Sequence, residues 1–471
     1  MDQQEQRPRR RQKTKAEIFK EQYLPLIIAG AAILLILIFI VGAISRSVEQ
    51  NKRKRLAQEA ADISQAEEFN QLNQEAYQLM SQAAALAAEY DFDGAIAKLD
   101  SFSGDVTQFP QLVNKRDEYV LSKSQLVAWD DPNQILNLTF QMLIADPQRA
   151  FNDDLFSYSF TRNFLTTAEF SAILDELYSN GYILVSLDDF IVRNETPDGT
   201  TYSTKTLYLP KGKKPLILTQ TNVNYHTYLT DGDGDKMPDK GGCGFASKLI
   251  LDENGELTNE YIDANGQTHV GPYDMVPILE EFVQQHPDFS FRGAKAVVAL
   301  TGYDGLFGYR TNTAAKATFG ADGHQEEIES AKAIAQALRD NGYTLACYTY
   351  ENESYKNFTG IQVKADINGW TNEVVPILGN IDVFVFAQNG DIADPNSPYS
   401  GEKYNILKEA GFGVFLGFTK EGQSWVYEST EYIRQGRLTL SPNTLKYYSV
   451  WFKDIIDTNG ILDPSRGEIP M

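Results

Sequence analysis

Residues 215–225 read PLILTQTNVNY, an apolar run that turns polar at its carboxyl end with Thr221, Asn222, Asn224 and Tyr225. A short apolar run of this kind reads as a buried strand. Six more runs share its texture: LTFQMLI (138–144), YILVSL (182–187), AVVALTG (296–302), TLACYTY (344–350), DVFVFAQ (382–388) and GVFLGF (413–418). Amphipathic helices alternate with them. TAEFSAILDELYSNG (167–181) places Phe170, Ile173, Leu174, Leu177 and Tyr178 on one face; Thr166 and Glu169 form a capping box and Gly181 stops the helix. QEEIESAKAIAQALRDNG (325–342) aligns Ile328, Ala331, Ala335 and Leu338 and stops at Gly342. Strand and helix in alternation predict an α/β domain with a mainly parallel sheet. About seven strands, with no Gly-rich phosphate loop between a strand and a helix, favour a (β/α) barrel over a nucleotide-binding sheet. Function then belongs at the carboxyl ends of the strands.

Working outward, the 471-residue chain splits at Trp129. From Glu49 to about Lys123 it is rich in Ala, Gln, Glu and Leu, which predicts helices broken at Asp91-Phe92-Asp93-Gly94. The piece AAALAAEYDFDGAIAKLDSF (83–102) reads as one helical hairpin similar to a tetratricopeptide unit. A lone unit cannot stack into a solenoid, so it is a spacer or a small partner-binding module. Leu24–Ile44 is an almost unbroken apolar run of 21 residues, the length of a bilayer core. It lacks the short apolar region and small-x-small cleavage site of a secretory signal, so an uncleaved single-pass anchor is the expectation. The expected organisation is a basic tail (1–23), a transmembrane helix (24–44), a helical stalk (45–128) and the barrel (129–471).

Seven basic residues precede the span (Arg7, Arg9, Arg10, Arg11, Lys13, Lys15 and Lys20), and Arg46, Lys52, Arg53, Lys54 and Arg55 follow it. The excess on the first side favours a cytoplasmic N-terminus in the cell membrane and an extracytoplasmic barrel. Residues 1–23 carry seven positive and four negative charges, net +3, so the chain's net charge of −22 leaves −25 for the remainder. So acidic a surface repels nucleic acid and argues against a phosphate-binding role. Cys243 and Cys347 form no C-x-x-C pair, which removes a structural zinc or thioredoxin-like reading; they stay as thiols or form one disulfide.

Five segments, taken in order, resemble the NodB-type polysaccharide deacetylases in their large membrane-anchored form from anaerobic Gram-positive bacteria. They are TTAEFSAILDELYSNGYILVSLDDF (166–190), PLILTQTNVNY (215–225), GFASKLILDENGELTNEY (244–261), FVQQHPDFSFRGAKAVVALTGYDGLFGYRT (282–311) and KYNILKEAGFGVFLGF (403–418). The resemblance spans roughly residues 130–460. It implies a distorted (β/α) barrel and removal of acetyl groups from cell-wall glycans. It also implies a divalent metal held by one aspartate and two histidines, with a second aspartate as base on the metal-bound water.

This chain departs from that pattern where the chemistry sits. The paired aspartates of the family fall on Thr221 and Asn222, and the histidines of its H-[ST]-x-x-x-H motif fall on Tyr348 and Asn352. The loop 386–392, FAQNGDI, lacks the family's proline. The chain's four histidines, His226, His269, His286 and His324, show no metal-ligand spacing, so no catalytic zinc or cobalt site is expected. His226 follows the altered strand and reads as a lone surface histidine or as part of the old cleft. Tyr225, Tyr303, Tyr309, Tyr348 and Tyr350 are candidates to present rings to sugar, or are ordinary barrel packing.

After that strand, LTDGDGDKMPDKGG (229–242) sets Asp231, Asp233, Asp235 and Asp239 in a D-x-D-x-D-x-x-x-D arrangement in a glycine-containing turn. This is either a structural calcium loop or a solvated acidic loop; Gly242 stands where an EF-hand has its bidentate glutamate. The expected function is a membrane-anchored, catalytically silent deacetylase-like protein of the cell envelope that binds cell-wall glycan or an envelope protein. The alternative is an active metal-dependent deacetylase.

Overall fold

The structure is a computed structural model that describes residues 12–152, 155–231, 242–395, 397–419 and 422–471. Packing divides the chain into two units. One runs through Leu79 and takes in Phe102–Phe109; the other comprises Met80–Ser101 and Pro110–Met471.

The first unit is dominated by the helix Leu24–Ala88, which runs on past the unit's end at Leu79. Its amino-terminal part holds an 18-residue window of mean hydropathy 3.1 with no residue buried, and it is long and apolar enough to cross a membrane. Farther along, Glu75 accepts hydrogen bonds from the backbone N–H and hydroxyl of Ser103 at 2.9 and 2.6 Å. Phe109 stacks on Phe69 and meets Phe102 edge-on.

The second unit is built on a closed ring of seven parallel strands: β1 (Leu136–Phe140), β2 (Lys214–Thr221), β3 (Val297–Leu300), β4 (Thr344–Cys347), β5 (Val383–Val385), β6 (Val414–Phe418) and β7 (Tyr432–Thr439). Each pairs with the next in chain order, and β7 closes on β1 through Leu438↔Leu138 and Thr439↔Thr139. Two details differ from the sequence reading. The run 182–187 supplies the strand Tyr182–Leu184, which pairs with the start of β2 outside the ring. Its place in the ring is taken by β7, whose sequence YIRQGRLT looks too polar for a core strand.

Strand alternation sorts the side chains into two apolar sets. Leu216, Leu218, Val298, Leu300, Leu345 and Phe384 pack outward with the helical residues Phe170, Ile173 and Leu338; Ile217, Val297, Ala299, Ala346, Val383 and Leu416 pack inward. Tyr202, from the hairpin Ile191–Thr196/Gly199–Thr204, belongs to the inner set, and its ring approaches Gly413 so closely that a Cβ there would lie 2.0 Å from it. The inner face also carries a polar layer. Thr219 donates to Asn137 (2.9 Å), Asn137 to Gln435 (3.0 Å), and Gln435 to the Ile135 carbonyl (3.1 Å).

The helical expectations hold where burial decides them. The helix Thr167–Ser179 has the Thr166/Glu169 capping box and buries Phe170, Ile173, Leu174 and Leu177, with Gly181 at φ 78° after it. The helix ending at Asp340 buries Ala331, Ile334, Ala335 and Leu338, with Ile328 half-buried. Helices Phe92–Asp100 and Pro110–Ser124 lie either side of the segment 101–109, and Asp91 caps the first by accepting from Gly94 N. Cys243 and Cys347 are buried and no disulfide joins them.

Glu169 has a second role. The buried guanidinium of Arg466 pairs with its carboxylate and donates to the carbonyls of Phe160 and Thr161 at 3.1 and 3.0 Å, which ties the carboxyl-terminal segment to the barrel's flank. Removing one member of a buried pair strands the other charge. Arg466→Ala is therefore expected to lower unfolding stability by about 3–5 kcal/mol, read from the urea midpoint, whereas exposed Lys453→Ala leaves that midpoint within error.

Candidate functional site

The loops leaving the carboxyl ends of β2 to β5 are conformationally unusual. Nine non-glycine residues among those described have positive φ, and seven of them lie in these loops: Asn222, Tyr225, Phe307, Thr349, Asn352, Gln388 and Asn389. L-residues avoid this region, and such strain persists where surrounding contacts enforce it, often at functional sites.

The four motif positions sit around this end of the barrel. Thr221 Oγ1 donates to the Phe140 carbonyl (3.2 Å), and Asn222 Nδ2 donates to Gln141 Oε1 (3.3 Å). Tyr348 points inward at the end of β4, its hydroxyl accepting from Gln388 N (3.3 Å), while Gln388 Nε2 donates to the Asn352 carbonyl (2.7 Å). Thr221 and Tyr348 line one cavity of about 150 Å³ together with Thr139, Gln388, Arg437 and Ser441. None of the four is a carboxylate or an imidazole, so this donor set does not fit the family's aspartate-and-histidine metal. Among the described residues, no group of three or more His, Cys, Asp or Glu side chains is placed to hold a metal ion.

Arg437, which sequence reading passed over, forms the cationic part of the cavity wall. It is 2% exposed and donates to the carbonyls of Leu416 and Gly417 (3.3 and 3.1 Å), to Thr139 Oγ1 (2.7 Å) and to the Phe386 carbonyl (3.0 Å). Burial pulls its pKa down to about 10, still charged at neutral pH.

His226 is not a surface residue. It is 1% exposed, with its ring stacked at 4.9 Å on Tyr303 and at 5.6 Å on Tyr228. The positive φ at Asn222 and Tyr225 turns the chain back at the strand end and carries His226 inward. Its Nε2 lies 3.5 Å from Asn222 Oδ1 and its Nδ1 3.5 Å from Asp304, which also accepts from Thr227 N (2.6 Å) and pairs with Arg310 (3.3 Å). Burial lowers the His226 pKa, and the neighbouring Asp304 only partly offsets this.

The proposed sugar-facing tyrosines do not form one platform. Tyr225 is 1% exposed; its hydroxyl donates to buried Asp274 (2.9 Å) and accepts from Asn259 (3.0 Å), the packed arrangement that was one of the two readings left open by the sequence. Tyr303 is half-buried on His226, Tyr350 is half-buried and donates to Glu373 (2.9 Å), and Tyr309 sits beside Lys248. Of the five candidates only Tyr348 lines the 150 Å³ cavity. Of the acidic-loop residues, Asp231 is described and follows the short helix Thr227–Thr230; Asp233, Asp235 and Asp239 lie outside the described residues.

No family model matches the sequence, and no curated protein matches it. A solved structure, the Streptococcus pyogenes deacetylase PplD in complex with acetate, is similar at 12% identity and a TM-score of 0.32, the match covering 66% of this chain and 93% of that one.

A histidine whose pKa is lowered by folding stays neutral in the native state while the unfolded chain takes up a proton below its ordinary value of 6.5. Its contribution is present above that value and is lost as pH falls through it. The stability of wild type relative to His226→Gln is therefore expected to decline between about pH 7 and pH 5, with the melting-temperature difference read across that range. A difference independent of pH would contradict a buried neutral imidazole.

Proposed function

We propose that this chain is a membrane-anchored envelope protein that binds cell-wall glycan at the carboxyl-end mouth of its barrel without hydrolysing it. The observation that carries the reading is the set of side chains at the strand ends. Thr221, Asn222, Tyr348 and Asn352 occupy the positions that the resemblance assigns to metal ligands and base, and none can take up a proton as a general base near neutral pH. Hydroxyls, amides and one guanidinium remain in the cavity wall, a set suited to hydrogen-bonding a polar ligand. The apolar helix supplies the anchor, and the basic excess before it directs residues 1–23 to the cytoplasm and the acidic barrel outward. A structural calcium at Asp231, Asp233, Asp235 and Asp239 belongs to the same reading.

Two measurements test this. Purified full-length protein in detergent, supplied in turn with zinc, cobalt or calcium, is expected to release no acetate from peptidoglycan fragments or chitin oligomers above the protein-free rate, while its melting temperature rises with those fragments. Metal-dependent release would establish an active deacetylase instead. Protease added to intact protoplasts is expected to digest the barrel and spare the amino-terminal tail; a protected barrel would reverse the orientation.

A further inference from the structure

Three arginines are essentially buried among the described residues, and they differ in one respect. Arg434 pairs with Asp391 at 2.9 Å, and Arg466 pairs with Glu169. Arg437 has no ion-pair partner among the described residues; its hydrogen bonds go to three kinds of neutral acceptor, backbone carbonyls of β6, the carbonyl after β5 and the Thr139 hydroxyl. Asp391, whose charge reaches it, is already held by Arg434 and by the Tyr399 hydroxyl at 2.7 Å. Buried charges are ordinarily paired, because the loss of hydration is otherwise uncompensated. Of the three, only Arg437 lines the mouth cavity. Its Nε–H is taken by the Leu416 and Gly417 carbonyls, whereas Nη1 and Nη2 each donate one N–H to the protein and carry a second, a pair that can meet a carboxylate end-on.

We propose that the mouth cavity is a carboxylate site in which Arg437 supplies the counter-charge, so that the glycan bound there carries an acidic sugar. This rests on the reading of the mouth as the ligand site and names the chemical class of its ligand. The volume supports an end group over a whole oligosaccharide: about 150 Å³ is well below the roughly 300–1,000 Å³ of pockets that enclose a larger ligand. Charge supports a carboxylate over a phosphate. One buried cation balances one negative charge, and the remainder of a dianion would face a unit whose sequence is strongly acidic. Thr221, Tyr348 and Ser441 add hydroxyls at the rim for the sugar's own hydroxyls.

The test uses full-length protein in detergent and isothermal titration with four probes: glucuronate, its methyl ester, glucose and inorganic phosphate. Glucuronate is expected to bind on the order of 10- to 100-fold more tightly than the methyl ester, the span of one charge-assisted contact. That comparison needs no variant. Arg437→Gln is expected to erase the preference for the acid, and Arg437→Lys to retain part of it. Equal binding of acid and ester overturns the carboxylate site while leaving the mouth as a sugar site. Tighter binding of phosphate than of glucuronate overturns it too. Binding of none of the probes removes the carboxylate site, and if peptidoglycan fragments also fail to raise the melting temperature, the glycan-binding reading falls with it. An acid preference that persists in folded Arg437→Gln places the site elsewhere and also overturns the proposal.

Discussion

The hydrogen bonds of one buried guanidinium, Arg437, hold the barrel's carboxyl end together. From β7 it reaches the carbonyls of Leu416 and Gly417 on β6, the Phe386 carbonyl just after β5 and the Thr139 hydroxyl on β1. Two residues earlier on the same face, Gln435 joins β7 to Asn137 of β1, which in turn accepts from Thr219 of β2. A ring of parallel strands must close somewhere, and here the last strand closes it with polar side chains directed inward. Each unsatisfied polar atom in that position would be costly, so the register of β7 is set by hydrogen bonds as well as by apolar packing.

The mouth inherits its chemistry from that closure. The hydroxyls of Thr139, Thr221 and Tyr348 and amides from the loops after β1 and β5 surround a single fixed cation among the described residues, and the strained turns at Asn222, Thr349, Asn352, Gln388 and Asn389 hold the rim. Beside it, His226 is locked between Tyr228 and Tyr303 and kept neutral by burial. Thr221, Asn222, Tyr348 and Asn352 all carry neutral side chains at this end of the barrel, which is the basis of the proposed reading as recognition without hydrolysis.

Much of the architecture was legible in the linear pattern. The runs around Leu138, Leu218, Val298, Leu345, Phe384 and Phe415 became ring strands, and the capping box at Thr166 and Glu169 and the stops at Gly181 and Gly342 lie where periodicity put them. Strand β7 was illegible because its inward positions hold Gln435 and Arg437, which read as surface until their partners are known. The surface reading of His226 failed for the converse reason: a polar residue just past a strand suggests solvent, yet the backbone turns it into the interior between two tyrosines, while neighbouring Tyr225 packs toward Asp274.

By itself the sequence determined the class of fold, the exposed apolar segment fit for a membrane and the neutral identities at Thr221, Asn222, Tyr348 and Asn352. These depend on composition and local period, which are properties of neighbours along the chain. Only the tertiary structure decided that Tyr182–Leu184 lies outside the ring while Tyr432–Thr439 closes it, and that Arg437 is a buried cation without a carboxylate among the described residues. Those outcomes depend on hydrogen bonds between residues about 300 positions apart, such as Thr139 with Arg437. No local pattern carries that information, because the cost of burying a charge is set by what surrounds it.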